Sequence, residues 1–190
     1  MNCTIYETPV LSPLLKRLSI LGLKTFGWKL EGEIPDIPKF VVITNHSSNW
    51  DLLITVLGSL ALSAKVSIMM KNSLFRGPFN PFLKWLGGIP VNRSASSNFV
   101  DQMVKTFEEK KKMILMLAPE GTREKVKRWK SGFYHIARGA DVPIVLAFID
   151  YVKKSTGVGP LVFPSGNFDA DMAKIKAFYA NITEKYSKKG

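Results

Sequence analysis

Short apolar runs alternate with longer stretches of helical periodicity, and no other feature limits the fold as tightly. Residues 40–44 (FVVIT), 66–70 (VSIMM), 89–91 (IPV), 113–117 (MILML) and 142–149 (VPIVLAFI) have the length and side chains of buried strands. Between them, residues 52–62 are long enough for a helix, Phe99, Val100, Met103, Val104 and Phe107 mark one helical face, and residues 132–138 predict a further helix. Met172, Ile175, Phe178, Tyr179, Ile182 and Tyr186 then recur at helical spacing. Strands alternating with helices predict an α/β fold, a single domain with a mixed or mostly parallel central sheet flanked by helices. A chain of 190 residues with 46% apolar content can bury the core that such a sheet needs.

The N-terminal part differs. Ser12 followed by Pro13 predicts an N-cap and first helical position, because proline's missing N–H goes unused there. The helix should run to about Phe26. Leu11, Leu14, Leu15, Leu18, Leu21 and Gly22 fall on one side, and Ser12, Lys16, Arg17, Ser19 and Lys24 on the other. Such a basic amphipathic helix can pack on the core or lie in the plane of a membrane interface. The expected organisation is an N-terminal amphipathic segment over residues 1–30 and an α/β domain over 31–190.

With 27 Lys and Arg against 15 Asp and Glu, the formal charge is +12, which calls for a nucleic acid, an anionic membrane surface or an anionic substrate. No zinc-finger spacing, basic zipper or aromatic RNA-binding signature accompanies the charge, so nucleic acid is not expected. Cys3 is the single cysteine, which excludes an internal disulfide and a cysteine-held zinc, and with two histidines no metal site is expected. The first ten residues hold one Glu and no cation, so no signal peptide is expected. A spanning helix needs about 20 apolar residues. The longest charge-free apolar run, residues 52–64, is shorter, and no transmembrane span is expected.

Functional residues of an α/β sheet collect on the loops past strand ends, and three polar clusters stand there. Residues 45–51 (NHSSNWD) place His46 and Asp51 about one helix start apart. A carboxylate accepting from Nδ1–H leaves Nε2 free to take a proton from a hydroxyl. Alternatively, Asp51 caps the following helix and His46 is an ordinary loop residue. Residues 118–124 (APEGTRE) join Gly121, a Thr122 hydroxyl and the Arg123 guanidinium, a set suited to a phosphate monoester, with Glu120 placed to orient Arg123 or another cation; the alternative is an ordinary polar turn after a strand. In residues 87–94 (GGIPVNRS), Arg93 ends a strand, where in isolation it reads as a solvated arginine and, beside the other clusters, as a second cation. His135, inside a predicted helix, reads as a packed helix residue.

The order NHSSNWD, GGIPVNR, PEGTR and VPI resembles the sequence blocks of the glycerolipid acyltransferases, the family typified by 1-acyl-glycerol-3-phosphate acyltransferase. The blocks span residues 45–146 in the family's order. The resemblance implies His46 as general base and Asp51 as its partner. It implies that Arg93, Glu120, Gly121, Thr122 and Arg123 bind the glycerol phosphate of the acceptor. Leu146 stands where the family often has a second proline, a departure that touches the acyl groove and not the dyad. The implied reaction moves an acyl group from acyl-CoA or an acyl-carrier protein to a lysophospholipid hydroxyl, with no cofactor and no metal. The implied location is the cytoplasmic face of the membrane, held peripherally or monotopically at its anionic surface. Two other readings remain open: the same chemistry on an amino-lipid or sugar-lipid hydroxyl, and a non-catalytic membrane-lipid-binding module.

Overall fold

A computed structural model describes residues 4–45, 48, 50–91, 96–120 and 129–182. Its strands are β1 (Lys29–Glu31), β2 (Lys39–Thr44), β3 (Val66–Lys71), β4 (Gly88–Val91), β5 (Met113–Leu117), β6 (Ile144–Asp150) and β7 (Ser155–Val162). They form one seven-stranded sheet in the order β1-β7-β6-β2-β5-β3-β4. From β6 to β4 every pairing is parallel, whereas β7 runs antiparallel to β6 and carries β1 parallel to itself. The helices are α1 (Leu11–Thr25), α2 (Trp50–Ala61), α3 (Asn80–Trp85), α4 (Ser96–Glu109), α5 (Gly132–Gly139) and α6 (Phe168–Tyr179), with a 3-10 helix over Asn72–Arg76. The expected α/β class with a mostly parallel sheet is observed.

The two-residue period of the central strands divides the core in two. Val41 and Ile43 of β2 and Met113, Leu115 and Leu117 of β5 face Met103, Phe107, Phe133, Ile136 and Ile175 from α4, α5 and α6. Phe40 and Val42 face the other way. There Ile114 and Met116 meet a layer that includes Leu15 of α1, Val56 and Leu60 of α2 and Trp85 of α3. The sheet is therefore covered on both faces, as parallel strands require.

Two parts of the chain differ from expectation. The β7 sequence, STGVGPLV, lacks a strand signature, yet its small residues are what the neighbours demand. A Cβ on Gly157 would stand 1.9 Å from the Glu31 carbonyl oxygen, and one on Gly159 would meet the Phe178 ring at 2.6 Å. Pro160 falls in the irregular stretch of the β6–β7 ladder, where no strand hydrogen bond is asked of it. The first helix begins at Leu11 instead of Pro13. Val10 precedes it at φ 66°, and Ser12 is no cap, because its hydroxyl donates to the Tyr6 carbonyl at 3.0 Å. Residues 4–10 turn back so that Ile5 and Tyr6 are buried, with the Ile5 amide donating to the Trp85 carbonyl. Pro13 still lies in the first turn, where amides have no intrahelical partner. The face of α1 turned inward holds Ser19 and Leu23, while Leu14, Leu18 and Leu21 of the expected apolar side are exposed.

Candidate active site

The sheet topology fixes where ligand chemistry can sit. Strands β2 and β5 are parallel neighbours, with Ile43 opposite Leu117, so the segments that follow them leave one edge of the sheet side by side. The connection from β2 enters α2 on one face, and that from β5 leads to α5 on the opposite face. Adjacent strands whose helices diverge open a crevice at their C-terminal ends, the place where open α/β sheets bind ligands. Asn45 and Ala118, the first residues past β2 and β5, flank this crevice. Strand β4, which precedes Arg93, ends on the same edge.

Asn45 pins the first block. Its buried side-chain amide donates to the Ile149 carbonyl, and its side-chain oxygen accepts from the Ile149 amide, both at 3.0 Å. The side chain thus continues the β2–β6 ladder one residue past the last backbone pair and fixes where the following residues leave the strand. Ser48 and Asp51 then close a capping box around the start of α2. The Ser48 amide donates to Asp51 Oδ2 at 2.6 Å, and the Trp50 amide donates to Ser48 Oγ at 3.3 Å. The other carboxylate oxygen, Oδ1, accepts the Tyr151 hydroxyl at 2.5 Å. Asp51 is 2% exposed, so its charge is held by protein donors and by the helix N-terminus and not by bulk water. Asp51 does cap its helix, and the cap occupies Oδ2 while Tyr151 holds Oδ1.

Tyr151 has no counterpart in the sequence reading, because it lies 100 residues from its partner, in the turn after β6. That turn is closed by the buried Asp150, whose Oδ1 accepts from the amides of Val152 and Lys153 at 3.0 and 2.9 Å. Trp28 packs edge-on against the Tyr151 ring with centroids 5.4 Å apart.

Glu120 is buried on the second block. Beneath it Tyr179 of α6 directs its hydroxyl at the carbonyls of Ile43 and Ala147, 2.8 and 2.7 Å away, bracing β2 against β6 near the crevice. Burial first, and the Glu120 carboxylate second, push the Tyr179 phenol well above its ordinary range, so it remains a donor across physiological pH. On the α4 and α5 side, a cavity of about 690 Å³ lies against Val91, Leu117 and Pro119, with Lys130 and His135 among its lining. His135 is exposed on α5 and its ring lies parallel to Phe168, which differs from the packed position expected of it. Among the expected site residues, Asp51 and Glu120 are thus placed. His46, Arg93, Gly121, Thr122 and Arg123 lie outside the described residues. Among the described residues no group of histidine, cysteine and carboxylate side chains could hold a metal ion.

Residues 29–149 match the family model described as Acyltransferase. No curated protein sequence matches the chain. Among solved structures the fold is similar to that of the 1-acyl-sn-glycerophosphate (LPA) acyltransferase PlsC from Thermotoga maritima, with a TM-score of 0.65 and 17% sequence identity over 94% of this chain and 81% of that one. The family match covers residues 29–149, from β1 into β6, and takes in both sequence blocks, and on that evidence the chain belongs to the acyltransferase family.

Proposed function

We propose that the protein transfers a fatty acyl group from an acyl thioester, acyl-CoA or acyl-carrier protein, to the free hydroxyl of 1-acyl-glycerol-3-phosphate, forming phosphatidic acid. The observation that carries this reading is the placement of Asp51. Its buried carboxylate stands in the first turn of α2, just past the end of β2, and β2 is paired with the strand that leads to Glu120. Asp51 orients the His46 imidazole, which takes the proton of the acceptor hydroxyl as its oxygen attacks the thioester carbonyl. The new C–O bond forms, the C–S bond breaks, and the imidazolium returns its proton to the departing thiolate. General acid–base catalysis of this kind contributes about 10²- to 10⁴-fold. Arg93 and Arg123 hold the acceptor phosphate with Gly121 and Thr122, and Glu120 orients the cations.

The acceptor is a lipid, and the surface of the α1–α2 layer suits a membrane. Leu14, Leu18, Leu21 and Phe26 are 51%, 51%, 58% and 74% exposed along and just beyond α1, and Trp50, Leu52 and Leu53 are exposed at the start of α2. Lys16, Arg17 and Lys24 are exposed among them. Apolar side chains bordered by cations suit the interface of an anionic membrane. Among the described residues no helix is long and apolar enough to cross a membrane. A peripheral position on the cytoplasmic leaflet fits these features and the charge of +12.

The test offers the purified protein vesicles containing one of several lyso-lipids, with either acyl-CoA or acyl-carrier protein, and identifies products by mass spectrometry. Phosphatidic acid from 1-acyl-glycerol-3-phosphate is expected. An acylated amino-lipid or sugar-lipid in its place would move the reading to another hydroxyl, and vesicle binding with no thiol release would leave a lipid-binding module.

A further inference from the structure

The Tyr151–Asp51 contact lies at the edge of the family region, since the matched residues end at Ile149, and it reaches the one placed member of the proposed dyad. We infer that Tyr151 is a positioning residue for acyl transfer, acting through the Asp51 carboxylate; this rests on the acyl-transfer reading above. A carboxylate turns freely about its Cβ–Cγ bond unless both oxygens are held. The Ser48 amide fixes Oδ2 and the Tyr151 hydroxyl fixes Oδ1, at 2.6 and 2.5 Å. A phenol-to-carboxylate bond of that length is in the charge-assisted class, about twice as strong as a neutral one. With both oxygens held, the plane of the carboxylate is set, and with it the orientation that the carboxylate offers an imidazole.

The backbone on both sides of Tyr151 and its ring have their own supports. The Asp150 carboxylate ties down the two amides after it, the Asn45–Ile149 pair fixes the strand end before it, and Trp28 supports the ring. The two braces from the β6 end, at Ile149 and Tyr151, grip the two ends of the NHSSNWD block. Asp51 is 2% exposed, so its carboxylate depends on protein donors for its hydrogen bonds. The consequence is electronic as well as geometric. A hydrogen bond donated to the carboxylate draws charge away from the imidazole, so its loss makes the imidazole a stronger base.

The experiment compares Tyr151→Phe with wild type in acyl transfer to 1-acyl-glycerol-3-phosphate vesicles across pH. The expected result is a kcat lower by about tenfold to a hundredfold, the size of a lost bond to a charged group, with the acceptor KM unmoved. The acidic limb of the kcat profile should shift to higher pH by about half a unit or more. A residue with only a packing role would lower the unfolding midpoint and leave that limb in place, which would overturn the inference. If Tyr151→Phe fails to fold, 3-fluorotyrosine at position 151 keeps the hydroxyl and makes it a stronger donor. The acidic limb should then move to lower pH, and an unmoved limb overturns the inference. Asp51→Asn separates the two levels: an inactive Asp51→Asn beside a fully wild-type Tyr151→Phe removes only the positioning role. Full activity in Asp51→Asn removes the dyad itself.

Discussion

On the face of the sheet covered by α4, α5 and α6, Met103, Phe107, Phe133, Ile136 and Ile175 are buried, and among the described residues these helices expose no large hydrophobic side chain. On the face covered by α1, α2 and α3, the buried clusters are smaller, and Leu14, Leu18, Leu21, Leu53 and Phe82 stand exposed. The difference extends to polar groups. The first face encloses a charged network, in which Asp171 accepts from the Ser165 amide and hydroxyl and from Tyr134, at 2.7, 2.9 and 3.0 Å. The second encloses a neutral pair, Tyr6 and Ser59, 3.0 Å apart, and keeps its buried carboxylate, Asp51, at the start of α2. One face is finished against water, and the other presents apolar side chains outward on the helix pair that also carries Asp51. Apolar patches of that kind mark interaction surfaces, and here the patch and the proposed catalytic carboxylate share α2.

The comparison can be broken at either face. Asp171→Ala should cost the most, about 3 kcal/mol, because it strands the buried Tyr134 hydroxyl and removes the acceptor of the two Ser165 donors. Chemical unfolding measures the loss, and vesicle binding of the folded fraction should be unchanged. Leu18→Glu combined with Leu21→Glu should do the reverse. Two half-buried leucines lost at an interface are worth about 2 kcal/mol, or roughly thirtyfold in vesicle affinity, read by sedimentation with anionic vesicles. The unfolding midpoint should stay near wild type, since both side chains already face solvent. Tyr6→Phe removes one neutral hydrogen bond and should cost about 1 kcal/mol of stability.

The smallest effect concerns acid. Burial alone pushes the Asp171 carboxyl up, but the Ser165 donors, Tyr134 and then Lys174 outweigh it, and the group sits below its ordinary 3.8. A carboxyl whose value is depressed by folding adds stability that is complete above its unfolded value and is lost as pH falls toward the folded one. Wild type should therefore lose its margin over Asp171→Ala below about pH 4, a window set by that direction. A margin that persisted at lower pH would show that Asp171 contributes packing and not charge.

Much of this arrangement was legible in the residues. Strands β2, β5 and β6 are continuous apolar runs because both their faces are covered, and that pattern needs no tertiary knowledge. Strand β7 was illegible because Gly157 and Gly159 are selected by the close approach of Glu31 and Phe178, a demand of the assembled fold. The wheel of α1 shows an apolar stripe but cannot say what covers it. Leu15, Ser19 and Leu23 pack inward, and Leu14, Leu18 and Leu21 are left for another surface. The spacing of His46 and Asp51 is a local signal and reads directly. Tyr151 is a remote neighbour delivered by the end of β6, and no spacing in the sequence could announce it.

Thiol release from an acyl thioester on 1-acyl-glycerol-3-phosphate vesicles, compared between wild type and His46→Ala, reaches furthest into the mechanism. Turnover should fall by about 10²-fold or more while the unfolding midpoint stays at the wild-type value. Turnover retained by a folded His46→Ala would mean that no imidazole held by Asp51 carries the reaction.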